Sequence, residues 1–205
     1  MVVKNIILDM WPSIWPLLVF VAVVAISLRL AYLFKGSKKF VLYREVMALV
    51  FILYIVCLYY ILTYQHAGVG GVNLVPFKEM FRYTFGSYKF IKNVVGNILL
   101  FLPFGFFAAH YIDTKKASTP ILVSLIVSFT AEAIQYYLGR VFDIDDIILN
   151  VFGGFLGYLL YIALAAIKNK LPSFMKSDSF LNFVVMVIVV LIILFSMGIN
   201  IFEFL

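Results

Sequence analysis

Acidic residues are scarce in this chain of 205 residues, yet three of its 10 acidic side chains lie within four consecutive positions. Asp143, Asp145 and Asp146 belong to the stretch GRVFDIDDIILNVFGG, which leads into a strongly apolar segment. Carboxylates so close together can bind a divalent cation, form ion pairs or take part in general acid and base catalysis. Asp146 has a routine explanation, because a carboxylate at a helix start caps free amide groups. We therefore treat Asp143 and Asp145 as candidate functional residues.

A fourth carboxylate, Glu132, lies inside an apolar segment long enough to cross a bilayer. A charged group at that depth costs roughly 2.5 kcal/mol or more, so it should be paired, protonated or directed into a wet cavity. Ser128 and Gln135 lie four and three positions away and share its helix face. Hydrogen bonding between helices explains these two residues. For Glu132 we favour a functional role, as a candidate general acid or base.

Further polar and small residues follow a helical spacing in neighbouring segments. Asn97 lies in the preceding apolar segment, where it can face Glu132. Asn150 follows Asp146 by one helical turn, and Gly153 and Gly157 extend the same face. A small-xxx-small pattern allows close helix packing, and it would also allow a homo-oligomer through these two glycines.

The oxygen-rich side chains make a divalent cation conceivable, but their spacing matches no recognised calcium loop. Arg140 is close enough in sequence to neutralise an aspartate. We therefore expect an ion-paired, hydrogen-bonded rim, with no confident metal ligands and no cofactor. The sequence contains no grouping of Ser, His and Asp at a nucleophile turn, and no helical pair of histidines. Catalysis is left open, and the absence of a catalytic motif favours a protein that is not an enzyme.

The elements that carry these residues are predicted to be membrane-spanning helices. Charged residues make up 13% of the chain, about half their share in soluble domains, and mean hydropathy is +1.10. We predict an all-α, polytopic transmembrane bundle, with residues 1–205 forming a single integral membrane domain. The net charge of +6 is better explained by anchoring at anionic lipid than by nucleic acid. About six spans are expected, at 13–34, 46–64, 94–112, 120–138, 147–167 and 181–202.

The distribution of Lys and Arg predicts the orientation of these spans. With an external N-terminus, inner loops hold nine of the 16 Lys and Arg residues. Both termini are then external, and the polar residues lie near the outer face. The connection at 65–92, between the second and third spans, interleaves Lys and Arg with Phe and Tyr. Such a segment favours an interfacial position, either resting on lipid or covering a site as a lid.

Three stretches of this sequence resemble the VanZ-like family of bacterial membrane proteins. They are NLVPF at 73–77, GNILLFLPFGFF at 96–107, and AEAIQYYLGRVFDIDDIILNVFGGFLGYLL at 131–160. The resemblance covers about 54–165 and leaves the flanking helices at 13–34 and 181–202 outside it. It implies a multi-pass protein of the bacterial cytoplasmic membrane, associated with resistance to teicoplanin and related lipid-bearing glycopeptides. The matching residues are Asn73, Pro76, Phe77, Asn97, Pro103, Gly105, Glu132, Gln135, Arg140, Asp143, Asp145, Asp146, Asn150, Gly153 and Gly157.

Three hypotheses for function follow. In the first, an outward-facing polar site and the 65–92 segment bind membrane lipid or the acyl tail of a glycopeptide. The second is a membrane-embedded enzyme that modifies an envelope lipid or precursor, with Glu132 as acid or base and the aspartates holding a divalent ion. In the third, every polar residue only holds helices together.

Overall fold

The protein is helical along almost its whole described length. A bilayer offers no water to hydrogen-bond the backbone, so apolar segments must satisfy their N–H and C=O groups internally, as helices do. The computed structural model describes residues 2–35, 40–63 and 70–196, and the side chains of 11–33, 40–63 and 70–192. The predicted polytopic helical membrane bundle is confirmed.

Seven α-helices make up the described part of the chain. They are α1 (Val2–Lys35), α2 (Leu42–Thr63), α3 (Tyr88–Phe90), α4 (Gly96–Ile112), α5 (Ser118–Tyr137), α6 (Ile144–Lys170) and α7 (Asp178–Ser196). A π-helical turn at Ile91–Val95 joins α3 to α4, and 3₁₀ turns occupy Met80–Arg82 and Ser173–Lys176.

Within the described ranges, five helical segments are long and apolar enough to cross a membrane. They are Trp11–Leu33, Leu42–Thr63, Tyr88–Ile112, Ser118–Tyr137 and Ile144–Lys170, and they correspond to the first five predicted spans. The apolar part of α7, Asp178–Ile192, is shorter. The sixth predicted span continues to 202, and its part beyond 196 lies outside the described residues, as do 65–69 of the predicted interfacial segment.

Contacts divide the chain into two compact units, the first being Met1–Tyr54 with Lys168–Leu205. Within it, the Arg29 guanidinium contacts the Glu45 carboxylate through two hydrogen bonds, of 2.6 and 2.7 Å. Tyr43 N–H donates to the Asn182 side chain at 2.9 Å. The predicted single domain stays a prediction.

The second unit, Ile55–Ile167, contains α4, α5 and most of α6, and it carries all the candidate residues. Glycines bring α4 and α6 into close contact. A Cβ atom would overlap the Gly154 carbonyl if built at Gly105, the Ile98 carbonyl if built at Gly153, and the Leu102 carbonyl if built at Gly157. The close packing predicted at Gly153 and Gly157 is therefore a contact with α4 of the same chain. Homo-oligomerisation through them stays a prediction, and it would have to displace α4.

One short sheet accompanies the helices in the described residues, and it was not predicted from the sequence. Strand β1 (Gly71–Asn73) pairs in parallel with β2 (Val141–Asp143), with Asn73 opposite Asp143. The stretch at 139–143 is therefore a turn followed by a strand. This pairing fixes the segment before α3 against the turn between α5 and α6.

Candidate functional site

The predicted site residues come together where the β1–β2 sheet meets the turn from α5 into α6. Their contacts show which side chains are already engaged and which oxygen atoms remain free.

Asp145 anchors the loop that follows β1. Its carboxylate accepts hydrogen bonds from the backbone N–H groups of Phe77 at 2.5 Å, Glu79 at 2.7 Å and Met80 at 3.1 Å. The side chain is only 1% exposed. Phe77 adopts a φ of 66°, an uncommon conformation for a bulky residue, and its N–H bond to Asp145 holds it there. Both oxygens of this carboxylate are thus occupied by backbone.

Asn73 and Asp143, the last paired residues of β1 and β2, also contact each other through their side chains. Asn73 Nδ2 donates to Asp143 Oδ1 at 2.9 Å, and the same oxygen accepts from the Asp145 N–H at 2.9 Å. Asn73 Oδ1 accepts from the Val75 N–H at 3.3 Å, which turns the chain after β1. Burial raises the pKa of the Asp143 carboxyl, while its two hydrogen bonds oppose that change.

Glu132 and Asp146 bring a second pair of carboxylates together, one from α5 and one from α6. Glu132 Oε2 accepts from the Asp143 N–H at 2.9 Å, and the two carboxyl groups are close enough to interact electrostatically. We expected Asn97 to face Glu132, but its Nδ2 donates to Asp146 Oδ1 at 2.5 Å. The Asp146 side chain thus contacts α4. Capping of the α6 N-terminus, the role expected of Asp146, does not account for this contact.

Arg140 does not form the ion pair expected of it. Its Nη1 donates to the Leu62 carbonyl at 3.0 Å, and Gln135 Nε2 donates to the same oxygen at 2.8 Å. Across the described chain the ion pairs are Arg29–Glu45, Arg44–Asp178 and Arg82–Glu79. Arg140 therefore acts on the carboxylates only from a distance. It was misassigned because a backbone carbonyl brought close by the fold leaves no trace in the sequence.

Deeper in the unit, Asn150 and Ser128 link α6 to α5. Asn150 Nδ2 donates to Ser128 Oγ at 3.0 Å. Three buried polar atoms in the described part of the molecule have no hydrogen-bond partner, namely Ser124 Oγ, Gln135 Oε1 and Asn150 Oδ1. Ser124 was not predicted as part of this polar face, although its spacing of four from Ser128 was the available signal.

The loop anchored by Asp145, residues 74–87, presents an apolar and basic surface, and we call it the amphipathic loop. Pro76 and Phe77 are exposed, and Phe81 and Phe85 are 83% and 87% exposed. Lys78 and Arg82 are exposed among them. Aromatic and cationic side chains displayed together suit the boundary between lipid headgroups and acyl chains.

No three His, Cys, Asp or Glu side chains converge as metal ligands within the described ranges. Asp143 and Asp145 already accept five hydrogen bonds between them. A divalent ion held by the cluster of Asp143, Asp145 and Asp146 stays a prediction.

The polar cluster, at one end of the bundle, consists of Asn73, Asn97, Glu132, Asp143, Asp145 and Asp146. A helical bundle of apolar spans with such a cluster defines a multi-pass membrane protein. The sequence model of the VanZ/LLP1 family matches residues 51–167, more than half of the chain. The chain belongs to this family. It is similar to Protein VanZ of Enterococcus faecium, with 28% identity over 138 residues, covering 67% of this chain and 78% of that protein. No solved structure matches the chain.

The Asn73–Asp143 contact gives a first testable prediction. Asn73→Ala removes both the donor to Asp143 and the acceptor for the Val75 N–H. We expect the free energy of unfolding to fall by about 1–3 kcal/mol, because Asp143 Oδ1 loses one of its two donors and the Val75 N–H loses its acceptor. The measurement is the thermal midpoint of the purified protein in detergent. Asn182→Ala in α7 is the control, since Asn182 also accepts a backbone N–H, from Tyr43, outside this unit. An equal effect of the two substitutions would contradict a special role for Asn73.

Proposed function

We propose that this protein binds a membrane lipid or an acylated amphiphile at the external face of the bacterial cytoplasmic membrane. The amphipathic loop supplies the contact surface, and the polar cluster beneath it fixes the loop in place. Capture of the acyl tail of a lipid-bearing glycopeptide such as teicoplanin would reduce the anchoring of that antibiotic. This connects the proposed binding to the resistance that the family resemblance implies.

The main support for this proposal is that the buried Asp145 carboxylate anchors the exposed, aromatic amphipathic loop. Three N–H groups at 77–80 are held by Asp145, while Phe81 and Phe85 stay almost fully exposed. A loop that is ordered before it meets its ligand loses less conformational entropy on binding. Large aromatic side chains displayed without cover are suited to apolar chains.

Charge on the same surface supports an amphiphile rather than a purely apolar ligand. Lys78 and Arg82 are exposed within the loop, and Lys89 and Lys92 are exposed just after it. Cations near a bilayer surface attract anionic headgroups. The combination of apolar contact with a few charged groups is typical of sites that hold a tail and orient a head.

The alternative is a membrane-embedded enzyme that modifies an envelope lipid or precursor, with Glu132 as acid or base. The contacts support it less well. Glu132 is 1% exposed and accepts the Asp143 N–H, so a substrate does not reach it in this conformation. Of the three aspartates proposed to hold a divalent ion, Asp145 accepts backbone N–H groups with both oxygens. Asp143 Oδ1 accepts the Asn73 amide and the Asp145 N–H, and Asp146 Oδ1 accepts from Asn97.

The test compares binding of teicoplanin and its deacylated form to the purified full chain in lipid nanodiscs. We expect the acylated compound to bind at least about 10-fold more tightly, because the acyl chain supplies most of the apolar contact. In the double variant Phe81→Ser/Phe85→Ser, two rings can no longer be partly buried against the ligand, and the binding free energy weakens by about 2 kcal/mol. The affinity should then fall about 30-fold.

Phe20→Ser/Phe183→Ser is the matched control, since both side chains are exposed and both belong to the other unit. It should bind as the wild type does. Equal binding of the acylated and deacylated compounds, or equal losses in the two double variants, would refute the proposal.

A further inference from the structure

Polar and small residues meet across α5 and α6 in three successive pairs. From the turn inward, the pairs are Glu132 with Asp146, Ser128 with Asn150, and Ser124 with Gly154. Members of successive pairs are four residues apart on each helix, so each helix contributes one continuous face. The two helices are antiparallel, and eight residues of helix rise about 12 Å. We call this arrangement the polar column.

Within the described residues, the two carboxyl groups of the first pair form no ion pair with a cationic side chain. Each carboxylate receives one hydrogen bond in the described structure, Glu132 from the Asp143 N–H and Asp146 from Asn97. Arg140 attracts both from a distance, but its Nη1 is bonded to the Leu62 carbonyl. When both are ionised, these neighbouring carboxylates repel each other, and Glu132, which is 1% exposed, has also lost its hydration, so the pair needs further compensation.

The second pair adds an oxygen atom that nothing else in the described structure engages. Asn150 is 1% exposed, and its Oδ1 has no hydrogen-bond partner. Since its Nδ2 reaches Ser128 on α5, this side chain lies between the two helices, one turn from Asp146. A buried acceptor without a donor is costly and rare. Carboxylate and amide oxygens thus outnumber the donors at this level of the column.

We propose that Glu132, Asp146 and Asn150 bind one small hard cation, either sodium or a divalent ion such as magnesium or calcium. Hard cations take oxygen ligands from carboxylates and from Asn side chains. The ion compensates the facing carboxylates and engages the free Asn150 oxygen. Asp145 is not a ligand, because both of its oxygens accept backbone N–H groups. Asp143 Oδ1 is likewise engaged, by the Asn73 amide and the Asp145 N–H. The site is independent of amphiphile binding by the loop.

The experiment measures the thermal midpoint of the purified full chain in nanodiscs of neutral lipid. Sodium, potassium, magnesium and calcium chlorides are each titrated against choline chloride at constant ionic strength. We expect a saturable rise of about 5 °C with sodium or with a divalent ion, because a ligand that binds only the folded state stabilises it. Comparison of the sodium and divalent series identifies the occupant. Equal midpoints in all salts would overturn the proposal, and so would stabilisation by lower pH alone, which would mean a proton in place of a metal ion.

Glu132→Gln keeps an acceptor for the Asp143 N–H while removing one charge, so it should fold and lose most of the cation-dependent rise. Asn150→Ser should weaken the apparent affinity at least about 10-fold, because the free amide oxygen is withdrawn. Asp178→Asn is the control, since that carboxylate pairs with Arg44 at an exposed position in the other unit. An unchanged rise in both site variants would also overturn the proposal. If Glu132→Gln gives little protein, equilibrium binding of radioactive sodium and calcium to the wild type and to Asn150→Ser decides the question.

Discussion

Asp145→Ala is expected to release the amphipathic loop and to destabilise the 55–167 unit by about 3 kcal/mol or more. The carboxylate accepts three backbone N–H groups, and leaving a donor without its charged acceptor costs about 1–3 kcal/mol each. Phe77 also loses the contact that holds its positive φ. The measurements are the thermal midpoint, which should fall, and the rate of trypsin cleavage after Lys78 and Arg82, which should rise.

Asp145→Asn removes the negative charge at this position and nearly keeps the shape of the side chain. The amide keeps one acceptor oxygen but turns an N–H group toward backbone N–H groups, so we expect an effect nearly as large as that of alanine. Asp178→Asn provides the control for loss of a carboxylate. Unchanged protease resistance in both Asp145 variants would show that the loop is held by other contacts.

Gly105→Ala is expected to have the second large effect, on the packing of α4 against α6. The added Cβ would overlap the Gly154 carbonyl, which belongs to backbone and cannot rotate away. Overpacking of this kind costs about 1–3 kcal/mol, and more where the backbone must move. We expect a lower yield from membranes and a lower thermal midpoint.

Gly96→Ala is the matched control in the same helix. Its added Cβ would meet the Ile91 carbonyl at 3.6 Å, an ordinary contact. Because alanine has the higher helix propensity by about 1 kcal/mol, this variant should be neutral or slightly stabilised. Similar losses in the two variants would mean that helix packing at Gly105 is not the cause.

The helices and most of the polar cluster were predictable because their determinants are local. Long apolar segments indicate membrane-spanning helices, in which polar groups are costly. The helical period then shows which helix faces carry Glu132, Gln135 and Asn150. The spacing placed Glu132 on a buried face and predicted close packing at Gly153 and Gly157, and the structure agrees.

The contacts that the sequence did not predict all depend on backbone atoms or on distant pairing. Arg140 looked like a partner for the aspartates, but it contacts the Leu62 carbonyl, 78 residues away. Asp145 looked like a rim carboxylate or a metal ligand, but it binds N–H groups of the amphipathic loop. Every residue carries such N–H and C=O groups, so side-chain spacing cannot identify which of them the fold brings near.

The separation of Phe77 from Asp145 along the chain also sets an order of events during biosynthesis. Asp145 follows Phe77 by 68 residues, so a ribosome reaches it roughly 3–14 s later. Throughout that interval the nascent loop has no anchor, and β1 has no partner strand. The surface that displays the aromatic residues is therefore completed only after α5 has emerged and α6 has begun. A chain that stalls before residue 145 would expose this loop to proteases, although all its own residues had been made.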